Sequence, residues 1–362
     1  MEQNSVSREA LAGMLKSFLI ESGIAEVKVL TDGLINTTIL AVCEDGRGYI
    51  VQKINTFVFK APEEIMENIA RVTAHILKKG GQTLHFHVTA DGKNYLKDDE
   101  GGFWRICDYI ESMTYNTCTE LDVLEALGAA FGEFQNLLSD FDADSLYETI
   151  PDFHNTGKRI DKLMADVEAD TEDRVKTAGD EIAFVKEMNA FARKLGNELE
   201  AGKIPLRVTH NDTKINNVLF DRETHLPIAV IDLDTVMPGL AAMDYGDAVR
   251  FACSNAAEDE KDLSLVYLDM DKFEAFTRGF VSKTAGSLTN REVNSLVTGA
   301  ITITTELGVR FLDDYLTGDK YFKTAYEGHN LVRAKCQFAL AKDMYDKRDQ
   351  MEKTVIRIAE QR

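Results

Sequence analysis

Residues 208–220 read Val-Thr-His-Asn-Asp-Thr-Lys-Ile-Asn-Asn-Val-Leu-Phe, a dense polar group between two short apolar runs. Transfer of a phosphoryl group to a hydroxyl requires a carboxylate for the hydroxyl proton, a cation beside the moving phosphate and ligands for Mg²⁺. Asp212 fits the first requirement as catalytic base, and Lys214 fits the second. Asn217 offers a neutral amide oxygen to the metal. The alternative is a polar loop in which Asp and Asn serve only as turn residues.

A second polar cluster follows at residues 229–235, which read Ala-Val-Ile-Asp-Leu-Asp-Thr. An apolar strand that ends in Asp presents a carboxylate where a second Mg²⁺ ligand is needed. Asp232 is the first choice for this ligand, and Asp234 is a further metal ligand or a substrate contact. Asp-x-Asp after a strand is by itself often only a turn. The order Asp, Lys, Asn and then Asp after two β-prone runs favours a metal-dependent phosphotransfer site.

Other polar residues near these clusters are predicted to be structural. His210 is expected to hold the loop through hydrogen bonds and not to act as a base. Residues 243–250 read Met-Asp-Tyr-Gly-Asp-Ala-Val-Arg. Within them, Asp244 and Asp247 are expected to hold loops through hydrogen bonds and a possible ion pair with Arg250.

The spacing of apolar residues divides the chain into two regions. Short β-prone runs surround one helical stretch at 62–79, whereas apolar residues recur at helical spacing from Leu121 onward. This pattern predicts an α+β, bilobal fold, and the resemblance of residues 210–217 to a protein-kinase catalytic loop implies that the fold is protein-kinase-like. The small β-rich N-terminal lobe with one helix, residues 1–108, would bind nucleotide. The larger, mainly helical C-terminal lobe, residues 109–362, would carry catalysis and substrate binding, with the site in the cleft between them.

The periodicities also give bounds for individual elements. Strands are predicted at 27–30, 37–42, 49–54, 85–89, 94–97, 103–110, 206–209 and 228–233. Helices are predicted at 181–195, with Gly196 as a stop, and in long stretches at 294–316 and 331–361. The acidic segment 161–180 is expected to be a solvated helix or loop.

Composition narrows the class of partner. The 362 residues carry a net charge of −20, which would repel nucleic acid and anionic membranes. The five cysteines are scattered without Cys-x-x-Cys spacing, which is typical of a reducing compartment without disulfides or a zinc site. The N-terminus lacks signal-peptide features, and no apolar run is long enough to span a membrane. We expect a soluble, cytoplasmic protein.

The spacing His-x-Asp-x-Lys-x-x-Asn in residues 210–217 is that of the protein-kinase catalytic loop. The loop resembles that of the aminoglycoside phosphotransferase and choline kinase superfamily. Longer runs resemble the N-acetylhexosamine 1-kinases within it. These runs are residues 207–214, 231–239, 258–264, 310–316 and 329–333.

The resemblance implies transfer of phosphate from ATP, with Mg²⁺, to the anomeric C1 hydroxyl of N-acetylglucosamine or N-acetylgalactosamine. It also implies that the residues matching Asp212, Thr235, Arg310 and Tyr321 contact the sugar. No local sequence pattern singles out Arg310 or Tyr321. Without the resemblance, Arg310 would be interpreted as a surface residue or a residue that pairs two helices.

On the nucleotide side, the turn at residues 32–38 is expected to lie over the phosphates. Gly33, Asn36 and Thr37 are its candidate contacts, although the turn lacks Gly-x-Gly-x-x-Gly and reads equally well as a simple hairpin.

Kinases carry a basic residue on the third strand, and the resemblance aligns Gln52 with that position, which leaves the role of Lys53 open. Its acidic partner is equally open among Glu63, Glu64 and Glu67. Tyr109 belongs to the expected hinge beside the adenine ring, although this segment could be only a strand end.

Two alternatives stay open at this stage. The chain could be a kinase of the same fold that acts on another sugar, choline or homoserine. It could instead be a non-catalytic nucleotide-binding regulator, although Asp212, Asn217 and Asp232 are all retained. The preference between the two N-acetylhexosamines is left open, and a monomer is favoured.

Overall fold

A small sheet-rich lobe opens the chain. The computed structural model of the protein describes residues 6–30 and 35–361. The sheet is antiparallel with the strand order β1-β2-β3-β5-β4. Its elements are α1 (Arg8–Ser17), β1 (Ile24–Leu30), β2 (Thr37–Cys43), β3 (Gly48–Ile54), α2 (Pro62–Lys78), β4 (Leu96–Lys97) and β5 (Phe103–Asp108).

The two faces of this sheet pack against different helices. One face forms a closed core with α1, to which Leu11, Leu15, Val51 and Trp104 contribute. The other face is covered by α2, whose apolar side joins the core of the larger lobe. Because residues alternate between faces along a strand, Gln52 and Lys53 must serve opposite sides of the sheet.

The larger lobe is mainly helical and holds two short antiparallel strand pairs, β6 with β9 and β7 with β8. Its helices are α3 (Leu121–Leu137), α4 (Thr156–Ala169), α5 (Gly179–Ala192), α6 (Lys194–Glu200), α7 (Ala241–Ala252), α8 (Met270–Thr284), α9 (Asn290–Leu316), α10 (His329–Asp346) and α11 (Arg348–Glu360). Its strands are β6 (Arg207–Thr209), β7 (Val218–Phe220), β8 (Pro227–Val230) and β9 (Met237–Gly239).

The long helix α9 lies at the centre of this lobe and fixes the position of α7. A capping box of Thr289 and Glu292 begins α9, because each residue's side chain satisfies a backbone N–H at the helix start. Gly299 lets α7 approach closely, since a Cβ there would lie 1.9 Å from the carbonyl oxygen of Ala242. The close approach matters because α7 carries the carboxylates that hold the polar loop described below.

The predicted α+β, two-lobed, kinase-like architecture is confirmed, with four corrections. The small lobe has two helices and not one, because α1 is capped by Ser7 and buries Leu11 and Leu15 against the sheet. Residues 85–89 form a single bridge, Phe86 to Cys107, and not a strand.

The other two corrections concern the helices. Gly196 lies inside α6 and does not end a helix, because α5 already ends at Ala192 and α6 follows at once. The predicted helix at 331–361 is two helices that break at Lys347, whose ammonium group binds the carbonyl of Leu268 and the carboxylate of Asp343.

The acidic segment 161–180 is partly helical as expected, but it is not only a solvated surface. Leu163 and Ala178 are fully buried and belong to a core with Val309 and Leu312 of α9. Within the described ranges, no helix combines the length and apolarity needed to cross a membrane. The boundary between lobes at residue 108 stays a prediction.

Candidate active site

Strand pairing brings the two polar clusters together. The pair Thr209 and Met237 joins β6 to β9, and the pair Val218 and Val230 joins β7 to β8. The loop 210–217 and the segment 231–236 are therefore held side by side at both ends. The catalytic-loop spacing seen in the sequence thus corresponds to a constrained loop.

Asp212, Lys214 and Asn217 meet in this loop. The ammonium group of Lys214 lies 3.0 Å from the Asp212 carboxylate, and the side-chain amide of Asn217 donates to Asp212 at its backbone oxygen (2.8 Å) and its carboxylate (3.2 Å). Burial opposes the charge of Lys214, but the carboxylates of Asp212 and Asp232 raise its pKa above the usual value. Lys214 therefore stays cationic beside two anionic groups.

Two carboxylates of α7 hold the backbone of this loop. Asp244, nearly fully buried, accepts from the backbone N–H groups of His210 and Asn211, both at 2.7 Å. Asp247 accepts from the backbone N–H of Thr213 at 2.9 Å and pairs with Arg250 at 2.8 Å. The hydrogen bonds and the ion pair expected for these residues are present.

His210 is a structural member of the same loop. Its side chain is fully buried, Nε2 donates to the carbonyl of Ile231 at 2.8 Å, and Nδ1 accepts from the backbone N–H of Asp212 at 3.3 Å. Both ring nitrogens are therefore used to orient Asp212 and to link the two polar clusters. No ring nitrogen is left for proton transfer.

Backbone strain is concentrated at the same place. Asn211 (φ 62°) and Asp232 (φ 59°) adopt the left-handed conformation, which costs about 1 kcal/mol or more for residues other than Gly. The Asn211 side chain compensates by donating to the Thr235 carbonyl at 2.9 Å and accepting from the Thr209 hydroxyl at 3.0 Å. Strain held by such a network is typical of functional loops.

Asp232 differs from its neighbours because no side chain or backbone N–H in the described residues donates to its carboxylate. The side chain is accessible to solvent, although protein atoms crowd around it. This desolvation, followed by the charges of Asp234 and Asp212, raises the pKa of Asp232 to about 6. A carboxylate without donors, close to other anionic groups, is a position that favours a cation.

Asp234, predicted as a further metal ligand, has a different set of partners. Its carboxylate is 2 % exposed, forms an ion pair with Arg105 of β5 and accepts from the Asn36 side chain at 2.7 Å. Both oxygens therefore have protein donors from the small lobe. The structure makes Asp234 a bridge between lobes and leaves Asp232 as the accessible carboxylate of the pair.

Arg105 was not predicted from the sequence, and it is a buried cation that the small lobe contributes beside Asp234. It stands opposite Gln52 in the sheet register, and its Nε donates to the Gln52 side chain at 2.9 Å. Gln52 in turn donates to Thr38 at 3.1 Å. An arginine inside the apolar run Phe103–Cys107 was the available signal, since a buried charge requires a partner.

Lys53 and the glutamates of α2 lie outside this network. The Lys53 ammonium group sits 5.4 Å from the centre of the Trp104 ring, on the α1 side of the sheet. Glu63 pairs with the exposed Lys97. None of Glu63, Glu64 and Glu67 forms a hydrogen bond or ion pair with Gln52 or Arg105 in the described residues, and the carboxylate that pairs with Arg105 is Asp234, from the other lobe.

The other residues predicted to contact the nucleotide lie in different surroundings. Gly33 lies outside the described residues. Asn36 bridges Asp234 and the backbone N–H of Asn55, so its side-chain nitrogen and oxygen are both engaged. Thr37 is exposed at the start of β2. Tyr109 follows β5 and donates its backbone N–H to Gly48 at 2.9 Å, which leaves that N–H unavailable to a ligand.

The residues predicted to contact an acceptor lie in two places. Thr235 is beside the loop, where its hydroxyl donates to the His210 carbonyl at 2.6 Å. Arg310 lies against the Phe322 ring at 5.6 Å, and the exposed Tyr321 packs edge-on against that same ring. The structure thus brings Arg310 and Tyr321 together around one aromatic ring.

A chain of contacts joins the Arg310 group to the polar loop. Arg310 also lies 5.4 Å from the Phe153 ring, and Phe153 packs on His154 at 4.4 Å between ring centres. His154 contacts the Asn211 carbonyl at 3.4 Å and the buried Glu306 at 2.8 Å. His154 and Glu306 carried no recognisable sequence signal, because their partners come from distant segments.

The fold and this arrangement define a class. A small antiparallel sheet over a helical lobe, with the Asp–Lys–Asn loop beside a strand-end Asp, is the organisation of protein-kinase-like phosphotransferases. Residues 26–268, more than half of the 362-residue chain, match the phosphotransferase enzyme family APH. The chain belongs to this family.

Solved structures of small-molecule kinases share the fold. The microcompartment-associated aminopropanol kinase is similar with a TM-score of 0.65 and 15% identity, covering 94% of this chain and 98% of that one. Choline kinase from Cryptosporidium parvum Iowa II gives 0.59 and 14%, covering 95% and 97%. Amicoumacin kinase hAmiN, in complex with AMP-PNP, Ca²⁺ and Ami, gives 0.59 and 14%, covering 89% and 88%. At these identities the likeness concerns the fold alone.

Proposed function

We propose that this phosphotransferase moves the γ-phosphate of ATP to a hydroxyl of a small molecule, with Asp212 as the base. The observation that carries the proposal is the loop geometry: an accessible carboxylate held at once by Lys214 and Asn217 and oriented through His210. Such a carboxylate can orient the acceptor hydroxyl and take its proton during transfer. Lys214, cationic and close by, would face the phosphate.

The residues present fit Mg²⁺, the metal that phosphoryl transfer from ATP requires. Asn217 uses its amide nitrogen on Asp212, which leaves the amide oxygen for a metal, and Asp232 has no donor among the described residues. Magnesium accepts this kind of set, one or two protein oxygens completed by phosphate oxygens and water. When bound, it would neutralise the phosphate charge. Asp234 is not included, because Arg105 and Asn36 occupy its oxygens.

Arg105 is our candidate for the basic residue that holds the α- and β-phosphates. Burial opposes its charge, but the carboxylates of Asp234 and Asp232 raise the pKa of its guanidinium, so it is a permanent cation near the metal-binding Asp232. Its Nη2 has no hydrogen-bond partner within residues 6–30 and 35–361. Arg105 would do from β5 what a lysine does from β3 in protein kinases, where this chain has Gln52.

For the acceptor, we propose the C1 hydroxyl of an N-acetylhexosamine, N-acetylglucosamine or N-acetylgalactosamine. An anomeric hydroxyl is more acidic than other sugar hydroxyls, which suits a carboxylate base. Arg310, Tyr321 and Thr235 supply polar groups for a polar ring, and the aromatic Phe322 beside Arg310 supplies a flat apolar surface. Choline fits less well, because a quaternary ammonium requires an anionic or aromatic cage and Arg310 lies close to a second cation, Arg159.

A coupled assay of ADP release would test both the kinase activity and the identity of the acceptor. The protein is incubated with MgATP and a panel of sugars and amino alcohols, and the product from N-acetylglucosamine is examined by phosphorus–proton correlation NMR. Coupling of phosphorus to the C1 proton is the expected result. Coupling to the C6 protons, or turnover only with an amino alcohol, rejects the sugar 1-phosphate assignment but keeps the kinase. Absence of phosphoryl transfer with every acceptor rejects the kinase.

A further inference from the structure

A second group of polar side chains lies on the small lobe, at the end of β5. The segment around residue 86 runs antiparallel to β5: His87 donates its backbone N–H to Ile106 at 2.9 Å, and Asp108 donates its own to His85 at 3.1 Å. Because side chains alternate along extended backbone, His85 and His87 share one face of this segment. Asp108 projects toward the same face from the end of β5.

The three side chains already converge. The His85 Nδ1 lies 2.8 Å from one Asp108 oxygen, and the His87 Nε2 lies 2.8 Å from the other. One nitrogen of each imidazole and one carboxylate oxygen lie within 4.8 Å of one another. His85 is 60% exposed and Asp108 is 46% exposed, so solvent reaches the group, while His87 is 19% exposed and is anchored edge-on against Tyr49.

We propose that His85, His87 and Asp108 form a binding site for a borderline-soft divalent cation, with Zn²⁺ as the representative. Two imidazoles and one carboxylate are the donor set that zinc prefers over magnesium, and an accessible face leaves a fourth position for water. A hard ion such as Mg²⁺ would select the oxygen ligands at Asp232 and Asn217. The two sites therefore take different ions.

The geometry lowers the cost of assembling this site. Backbone hydrogen bonds fix the positions of the three residues, and the imidazole–carboxylate hydrogen bonds already order their side chains, so few torsions need to be ordered on binding. Asp108 is kept ionised: burial raises its pKa, but the hydrogen bonds from His87 and His85 outweigh this and lower it. Binding replaces the two imidazole–carboxylate hydrogen bonds by metal–ligand bonds, and the proton on each ligating nitrogen moves by way of solvent to the other nitrogen of the same ring, so each imidazole ligates as the neutral form.

The competing interpretation is a hydrogen-bonded trio in which two neutral imidazoles simply satisfy Asp108. The pair of His75 and Asp140 is an example of such a hydrogen-bonded group. His75 contacts Asp140 at 2.9 Å, with Lys79 on the same carboxylate oxygen, and no second imidazole is part of that group. His75 therefore offers a matched control: a histidine–aspartate pair at a helix end without a convergent third ligand.

The test is a titration of tag-free protein with ZnCl₂ by calorimetry, and with Co²⁺ by visible absorption. The unaltered chain is compared with His87→Ala, Asp108→Asn and the control His75→Ala. We expect one saturable equivalent of metal for the unaltered chain and for His75→Ala. His87→Ala and Asp108→Asn should each lose at least about tenfold in affinity, and a thiolate-to-cobalt band should be absent.

Two results would overturn the site. One is that the unaltered chain shows no saturable equivalent. The other is that His87→Ala binds as tightly as His75→Ala. Circular dichroism of each variant without metal checks that the fold is kept, and a conservative His87→Gln replaces the alanine variant if it is not. The readout is metal binding, so its failure is independent of whether the chain transfers phosphate.

Discussion

The two sides of the cleft differ in how their polar side chains are organised. On the large-lobe side, Asp212, Lys214 and Asn217 lie within one short loop. Carboxylates of α7 hold this loop by accepting hydrogen bonds from the backbone N–H groups of the loop. On the small-lobe side, Gln52 and Arg105 come from two paired strands, and Arg105 reaches across to Asp234 in the other lobe. The first arrangement is local in sequence, and the second is assembled only by the sheet register and the meeting of the lobes.

The difference indicates a division of labour between two neighbouring aspartates. Asp232 is accessible and has no donor among the described residues, whereas Asp234 is buried and saturated by Arg105 and Asn36. A metal site requires the first property, and a rigid link between lobes requires the second. Variants can test whether metal binding by Asp232 and the link between lobes at Asp234 are separate roles.

The largest effect is expected from Asp212→Asn on the large-lobe side. The amide keeps the contacts to Lys214 and Asn217 in shape but cannot accept the hydroxyl proton, so kcat should fall by about 10²–10⁴-fold. Steady-state kinetics, with nucleotide binding measured in parallel, separates catalysis from binding, which should be kept. Asp349→Asn, an exposed carboxylate on α11, is the control. Near-unaltered turnover in Asp212→Asn would falsify its role as base.

The next largest effect is expected from Asp232→Asn, which should lower the activity but raise the stability of the fold. Loss of a metal ligand should lower turnover by about 10²-fold or more and make ATP binding nearly insensitive to Mg²⁺. The free energy of unfolding should rise, because the raised pKa of about 6 means that the folded state disfavours the ionised carboxylate. With solvent screening, the gain is about 1 kcal/mol at neutral pH.

The sign of that gain can be checked by pH. A carboxyl group whose pKa is raised on folding costs stability as pH rises from its unfolded value of 3.8 to about 6. The advantage of Asp232→Asn in thermal unfolding should therefore be full at neutral pH and smaller at about pH 5. The idea fails if Asp232→Asn is less stable than the unaltered chain at neutral pH, or if calorimetry shows unchanged Mg²⁺ dependence of ATP binding.

On the small-lobe side, Arg105→Gln tests the proposed phosphate contact. A hydrogen bond between charged groups contributes about 1.5–3 kcal/mol, so the affinity for ATP should fall by about ten- to a hundredfold. Adenosine, which has no phosphate, should bind unchanged. The measurement is calorimetric titration with both ligands. Lys53→Gln is the matched control, since Lys53 lies on the other face of the sheet over Trp104.

Stability must be separated from binding in this case. Arg105→Gln leaves the buried Asp234 without its partner, which costs about 3–5 kcal/mol. The double variant Arg105→Gln with Asp234→Asn removes both charges and should recover most of that stability, but it should not recover ATP affinity. If the double variant binds ATP like the unaltered chain, Arg105 serves only to pair with Asp234.

The same contrast explains what the sequence could predict. The contacts among Asp212, Lys214 and Asn217 could be expected from the sequence, because the three residues lie close together along one short segment, and their catalytic roles stay predictions. The link between Arg105 and Asp234 could not be expected from the sequence, because it depends on a cross-strand register and on a contact between lobes. Asp234 was predicted as a further metal ligand or a substrate contact because its position beside Asp232 is visible in the sequence, whereas its contacts with Arg105 and Asn36 are not.

The elements of the fold were likewise predictable where local sequence determines them, and not where distant contacts do. The hairpin of β2 and β3 and the helix α2 were predicted to within a residue or two from local patterns. The helix α1 was missed, since it is only ten residues long and its burial depends on the sheet it covers. The break at Lys347 was missed because no Gly or Pro marks it in the sequence.

The smallest effect is expected at the acceptor side, with Arg310→Met. Methionine keeps an apolar side chain between the rings of Phe153 and Phe322 but removes the donors and the charge. If Arg310 positions the sugar, KM for N-acetylglucosamine should rise by about tenfold, and kcat should fall as well where the hydroxyl loses its orientation. KM for ATP should not change. Arg348→Met, which also removes an arginine from an aromatic ring, is the control. An unchanged KM for the sugar, or an equal rise in KM for ATP, would assign Arg310 to packing and leave the acceptor to be held from the loop side alone.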